Sequence, residues 1–301
     1  MNSNFNFVFS KLKKMCGLVL KNVNLKEFSS FKIGGKCKIW VEPESLEEIV
    51  RIITFLNEKQ IKYMVVGNCT NLLFSSGGYD GVVVRLGAKY SHLDEFGTTL
   101  IASAGLGLSA LAYRAGELGL SGLEDAFGIP GSVAGALVMN ASAYGFKMEN
   151  LVTSVVAIKN GKITMFTASE CGFGYRKSIF QDPNIIVLKV EFKLKKGKKS
   201  EILEHMAQIK ELRASRQPLN QPSAGCVFKN PDGVSVARLI EDAGLKGYAI
   251  GGAMVSPKHS NFIVNAGSAT SDDVLNLIDH IKKIIKQDYN IDLQTEVIYV
   301  E

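Results

Sequence analysis

No stretch of this chain approaches the roughly 18 apolar residues a membrane-spanning helix needs, so a transmembrane protein is not expected. Cysteine is sparse and odd in number: Cys16, Cys37, Cys69, Cys171 and Cys226, with no C-x-x-C among them. That argues against a disulfide framework and fits a reducing cytoplasm. The four histidines, His92, His205, His259 and His280, lack the spacing of a zinc motif, so no metal is expected. Charge of one sign is also modest. Thirty-five basic against 29 acidic residues give +6, and the lysines do not gather into one stripe, so the sequence predicts no nucleic-acid partner. The densest run, Lys193, Lys195, Lys196, Lys198 and Lys199 around Gly197, reads as a solvated turn, and Lys195 to Ser200 as a linker. Between Met1 and Met15, Phe and Val precede Lys11, Lys13 and Lys14, the reverse of a signal peptide, so export is not expected. There is no internal repeat and no low-complexity segment.

What is present is an ordinary globular composition, 46% hydrophobic and 21% charged, which excludes disorder as the ground state. At 301 residues it predicts two domains of usual size or one large one. The first unit reads as strand, helix, strand. Lys38 to Val41 is extended, and Ser45-Leu-Glu-Glu48 has the pattern of a capping box. Leu46, Ile49, Val50, Ile53 and Leu56 then recur at helical spacing. Ile61 to Val66 and Val82 to Leu86 read as buried strands. Leu100 to Ala104 is a strand and Ser109 to Leu118 a helix, followed by a small-residue segment punctuated by Gly122, Gly128, Gly131, Gly135 and Gly145. Three β-type runs follow, 151–159, 162–167 and 185–194, so the class is α+β. The last third reads as helix 201–215, strand 225–229, helix 234–243, strand 261–265, helix 272–287 and a last strand 296–300.

Gly105-Leu-Gly107-Leu-Ser-Ala110 matches the G-x-G-x-x-A fingerprint, with Glu124 nineteen residues on. The chain after that helix does not continue as a parallel strand, so a plain strand-to-helix turn is the better reading. Two other glycine-bearing elements follow strands. One is Gly67, Asn68, Cys69, Thr70, Asn71, Leu72; the other is Gly128, Ile129, Pro130, Gly131, Ser132 and on to Gly135. Small residues there leave backbone amides free for phosphate oxygens. Phe173-Gly-Tyr175-Arg176 and Ser223-Ala-Gly225-Cys226-Val-Phe-Lys229-Asn230-Pro231 concentrate functional groups in short glycine-bearing segments.

Six motifs in this order resemble the UDP-N-acetylenolpyruvoylglucosamine reductase family over nearly the whole chain. They are Ser29-Ser-Phe-Lys-Ile-Gly-Gly35, the 67–72 turn, Gly128-Ile-Pro-Gly131, Gly174-Tyr-Arg176, Ala224 to Pro231, and Glu296. Two departures stand out. The family's usual GSNLL reads Cys69-Thr-Asn-Leu72 here, and its usual serine is Cys226, as in some members of the second family type, which lacks an extra tyrosine loop.

The resemblance implies a two-part FAD-binding module of the vanillyl-alcohol-oxidase (PCMH) type followed by a smaller α/β substrate domain. It places an N-terminal extension at 1–20, with Met15 a candidate alternative start. The FAD module would cover 21–198, in two parts near 21–86 and 87–198, and the substrate domain 199–301, its last strand a candidate to return to the FAD module. FAD would bind noncovalently on 67–72 and 128–135, and NADPH would be the cosubstrate. Arg176, Cys226 and Glu296 would be catalytic. Tyr175, Arg213, Arg216, Gly225, Lys229 and Asn230 would bind UDP-N-acetylglucosamine enolpyruvate. The implied protein is a cytoplasmic monomer of peptidoglycan precursor synthesis. Two other readings are another FAD-dependent oxidase of the same module and a catalytically silent FAD- or UDP-sugar-binding module. The absence of an obvious covalent flavin attachment motif weighs against the first, and intact Arg176, Cys226 and Glu296 against the second.

Overall fold

The computed structural model describes residues 5–301, so Met1 and the other first residues of the expected extension lie outside the described residues. The chain divides into two compact units. One comprises residues 1–22, 38–68 and 81–212, and the other 23–37, 69–80 and 213–301.

In the first unit, a four-stranded sheet runs in the order Leu18–Asn24, Lys36–Glu42, Tyr79–Arg85, Tyr63–Val66. The last two pair in parallel. Helix Leu46–Glu58 starts at Ser45, whose hydroxyl accepts from Glu48 N–H at 3.2 Å. The Glu48 carboxylate, however, takes the N–H of Glu44 rather than that of Ser45, so only half of the expected box forms. Ile49, Ile52, Ile53 and Leu56 fall on one helical face and pack with Ile39, Val41, Val82 and Val84 of the sheet. The described part of the N-terminal extension joins this core. Helix Phe5–Leu12 buries Val8 and Leu12 in it, beside Cys16.

The rest of that unit is a five-stranded antiparallel sheet in the order Lys162–Thr167, Val152–Lys159, Ile185–Lys193, Thr99–Ser103, Leu93–Phe96. Because side chains alternate across a strand, it feeds two cores. Val155, Ala157, Val187, Val190 and Phe192 join one, Ile158, Ile186 and Leu188 the other. The change of parity between Val187 and Val190 follows from a register shift opposite Val156 and Ala157, where a bulge adds a residue. Helix Leu108–Glu117 covers the first core with Leu108, Leu111, Ala112 and Ala115. Gly116 lets helix Lys199–Arg216 approach, since a Cβ there would stand 3.0 Å from Met206. Thr99–Ser103 has antiparallel neighbours on both sides, so the Gly105-x-Gly107 turn is not a dinucleotide fold. The expected linker after Lys193 is shorter than read. Lys195 and Lys196 pair with Ser121 and Leu120, and the next helix starts at Lys199, because two exposed lysines can extend an edge while their heads stay in water.

In the second unit, a four-stranded antiparallel sheet runs Ser223–Cys226, Phe262–Asn265, Ala253–Val255, Ala249–Ile250. Helix Ser271–Tyr289 lays Val274, Leu277, Ile278, Ile281 and Ile285 on a core with Val227, Phe228, Val255 and Ile263. A full capping box of Thr270 and Asp273 starts the helix, and Asn290, left-handed at φ 54°, ends it. Leu72–Phe74 pairs in parallel with Ile298–Val300, across more than 200 residues of sequence. The pairing of the 223 segment ends at Cys226 and the final strand starts at Ile298, so both are shorter than expected.

Candidate active site

In the first unit, Gly67 and Asn68 follow strand Tyr63–Val66. A Cβ at Gly67 would stand 2.2 Å from the Ser132 Oγ, so the two glycine-bearing elements meet at this point. Buried Ser132 caps helix Val133–Val138, its hydroxyl accepting from Gly135 N–H at 3.2 Å. The segment is stitched to the strand-to-helix turn: Leu108 N–H donates to Gly131 O at 3.1 Å and Val133 N–H to Leu106 O at 2.8 Å. Gly128 and Gly131 hold φ of 79° and 122°, a conformation that needs glycine here. Ile129 is partly buried against the same core, and Pro130 is exposed.

Arg176 is also in the first unit, half-buried and left-handed at φ 53°. Its guanidinium donates to Ser142 Oγ at 2.8 Å and to Ser142 O at 3.4 Å. It also lies 5.2 Å from the centre of the Tyr175 ring, which is exposed. Buried Asn140 anchors the loop from beneath, donating to Gly174 O and to the Glu149 carboxylate, each at 2.9 Å. Ser142, Asn140 and Glu149 escape a sequence reading, because nothing local marks an Asn-Ala-Ser as the seat of an arginine 34 residues away.

In the second unit, Cys69 adopts φ 52° and its carbonyl accepts from Ser30 N–H at 3.4 Å. Thr70 is half-buried. Asn71 reaches the last segment: its Nδ2 donates to Glu296 O at 3.1 Å, and its own carbonyl accepts from Ile298 N–H at 3.0 Å. Leu72 then pairs with Ile298. Glu296 N–H donates to Val227 O at 2.7 Å, and Lys229 N–H to Gln294 O at 2.9 Å. The structure thus brings together the 71, 226–229 and 294–298 segments, which the sequence keeps far apart.

Cys226 is half-buried, and the adjacent Gly225, at φ 80°, faces open space with nothing within 4 Å of a Cβ. Asn230 is exposed and its Oδ1 accepts from Val236 N–H at 3.1 Å. Arg213 is buried and Arg216 exposed at the end of helix Lys199–Arg216, where Lys258 Nζ takes the Ala214 carbonyl at 2.5 Å. His259, whose ring is pushed below its ordinary pKa by burial, accepts from Asn261 N–H through Nδ1.

The residues present fit a diphosphate-bearing cofactor. Within the first unit, exposed Gly128 and half-buried Gly67 and Gly131 have no side chain to stand between the backbone and a ligand. No group of three or more His, Cys, Asp or Glu able to hold a metal occurs among the described residues, and no helix of the described residues is long and apolar enough to cross a membrane.

Comparison with known proteins agrees with this geometry. A family model of the UDP-N-acetylenolpyruvoylglucosamine reductase C-terminal domain matches residues 217–300, and a model of an FAD-binding domain matches 37–166. The UDP-N-acetylenolpyruvoylglucosamine reductase of Caldanaerobacter subterraneus subsp. tengcongensis is 44% identical over 290 residues, 95% of this chain and 96% of that one. That of Bacillus subtilis is 41% identical over 293 residues, 96% and 97% of the two chains. The crystal structure of the Thermus caldophilus reductase superposes with a TM-score of 0.81 at 36% identity, covering 93% of this chain and 98% of that one. With an FAD-binding domain of the expected type, a C-terminal α/β domain and relatives matched end to end, this chain belongs to the UDP-N-acetylenolpyruvoylglucosamine reductase family of FAD-dependent oxidoreductases.

Proposed function

We propose that the chain reduces UDP-N-acetylglucosamine enolpyruvate to UDP-N-acetylmuramate with NADPH as the reductant, and that Arg176, Cys226 and Glu296 act on the enolpyruvyl group. The observation that carries the assignment of residues is the hydrogen bond from Glu296 N–H to Val227 O at 2.7 Å, which sets the carboxylate segment beside the thiol segment in one unit. FAD, when bound, supplies the two-electron relay between NADPH and the enolpyruvyl nucleotide. We assign it, noncovalently, to the 67–72 turn and the 128–135 segment, within a flavin module at 21–198, and we assign the nucleotide substrate to 199–301. Five free cysteines suit a cytoplasmic enzyme, which we take to act as a monomer.

The chemistry of the substrate dictates what these side chains do. Hydride gained at the methylene carbon leaves an electron pair on the neighbouring carbon, delocalised into the carboxylate. Negative charge therefore grows on oxygens that already carry one, and a fixed cation stabilises that state more than the ground state. Arg176 is that cation, pre-oriented by Ser142, with a planar fork suited to a carboxylate. Cys226 gives its proton to the carbanion carbon and is left as thiolate. An unperturbed thiol, of pKa about 8.5, is mostly protonated at neutral pH, the state that a proton donor needs. Glu296 shares a proton with the enediolate. Tyr175, Gly225, Arg213, Arg216, Lys229 and Asn230 bind the nucleotide.

Rapid mixing tests this. NADPH should bleach the flavin absorbance of the purified yellow protein, and the enolpyruvyl nucleotide should restore it without oxygen. In Cys226→Ala only the second step should slow, by roughly 10²–10⁴, and Cys226→Ser should keep substantial activity. An unaltered second step in Cys226→Ala removes the thiol from the mechanism.

A further inference from the structure

We propose that Asn261 is a positioning residue for the protonation half of the reaction, holding Cys226 and Glu296 in register; the proposal rests on the function argued above. The ladder between Ser223–Cys226 and Phe262–Asn265 ends at the Cys226–Phe262 pair. Beyond that pair, Asn261 replaces the missing strand. Its carbonyl accepts from Val227 N–H at 2.8 Å. Its side-chain Oδ1 accepts from Phe228 N–H at 3.0 Å, and its Nδ2 donates to Phe228 O at 2.9 Å. The carboxamide thus presents one donor and one acceptor to one residue's backbone, as a neighbouring strand would.

Water cannot substitute, because Phe228 and Asn261 are only 1% and 3% exposed. Both backbone groups of Phe228 would be left buried without these partners on that side. On the opposite side, Val227 O receives Glu296 N–H at 2.7 Å, and Phe228 bridges to Thr295. Residues 227 and 228 therefore form a splint: Asn261 fixes one edge, the Glu296 segment is hung on the other, and Cys226 is covalently next to it. A slip of the splint moves the acid and the carboxylate together, and a displacement of about 1 Å costs roughly 10²-fold in rate.

Two variants test it in the holoenzyme. Asn261→Leu keeps the size and loses both side-chain hydrogen bonds. Flavin reduction by NADPH should stay within about twofold of wild type, and reoxidation by the enolpyruvyl nucleotide should slow roughly 10–100-fold. Asn261→Asp supplies a readout that simple loss of folding would not. When protonated, its carboxyl offers one donor and one acceptor, like the carboxamide; when ionised, it sets two acceptors against Phe228 O. The titratable group in contact with it is His259, whose Nδ1 accepts the 261 N–H, while Cys226, Lys229 and Glu296 lie on the segments that the 227–228 backbone joins. Burial raises a carboxyl pKa. The ratio of Asn261→Asp to wild-type reoxidation rates should therefore rise toward one as pH falls, with no such rise in the ratio for flavin reduction. Equal slowing of both half-reactions in Asn261→Leu, wild-type reoxidation in that variant, or a flat ratio of Asn261→Asp to wild-type rates across pH would each overturn the proposal. A wild-type flavin that the enolpyruvyl nucleotide does not reoxidise would overturn the underlying function instead, and the proposal with it.

Discussion

The contact between Gly67 and Ser132 makes a sharp prediction. Gly67→Ala places a methyl 2.2 Å from Ser132 Oγ and 3.2 Å from its Cβ. The hydroxyl must leave its position, and Gly135 N–H loses its acceptor. Loss of an N-cap costs about 1 kcal/mol. Forcing a methyl into a filled space adds about 1–3 kcal/mol. Gly67→Ala should therefore cost about 2–4 kcal/mol and Ser132→Ala alone about 1 kcal/mol. If the sites were independent, the double variant would lose about 3–5 kcal/mol. Removing the hydroxyl leaves only the 3.2 Å approach of two Cβ atoms, which a few tenths of an ångström relieve. The double variant should then lose only about 1–2 kcal/mol, an interaction energy near 2 kcal/mol. Thermal unfolding of the four proteins, with flavin content measured from absorbance, reads it. FAD retention should fall most in Gly67→Ala and recover in the double variant. Additive losses, or a Gly67→Ala protein as stable as wild type, would refute the argument from the contact.

At neutral pH an alkylating agent should label Cys226 fastest, since burial lifts the Cys16, Cys37 and Cys171 thiols to about 11 and Cys69 is only 4% exposed; mass mapping that finds rapid labelling persisting in Cys226→Ser would contradict this. Arg176→Ala should lower turnover by roughly 10²–10³ with the flavin still bound, and steady-state NADPH oxidation checks it. Burial lifts the Glu124 pKa, but bonds from the Ser121 hydroxyl and Gly122 N–H outweigh it and set the value below its ordinary one. Its contribution to stability is thus complete above the usual carboxylate range and lost as pH falls through the lowered folded value, so urea midpoints of wild type and Glu124→Gln should converge in acid. Tyr90 is buried with no partner for its hydroxyl among the described residues, so Tyr90→Phe should unfold at an equal or higher temperature than wild type.

Helices were legible because their signals are local. The periodicities of 46–56 and 274–285 lie within a few turns, and both segments are helical in the structure. The glycine-bearing turns were legible for the same reason, since a positive φ at Gly128 or Gly131 is written in one residue. The motif order carried the family. Strand pairing was not legible: nothing near Leu72 names Ile298 as its partner, because pairing over that separation is selected by what the two segments bury together. The seat of Arg176 on Ser142 and the splint at Asn261 belong to the same class. Each is a polar side chain satisfying a buried or half-buried group on a distant segment. Only a folded backbone creates that need, so the sequence by itself pointed to the residues proposed to carry the chemistry, and tertiary packing decided what holds them in place.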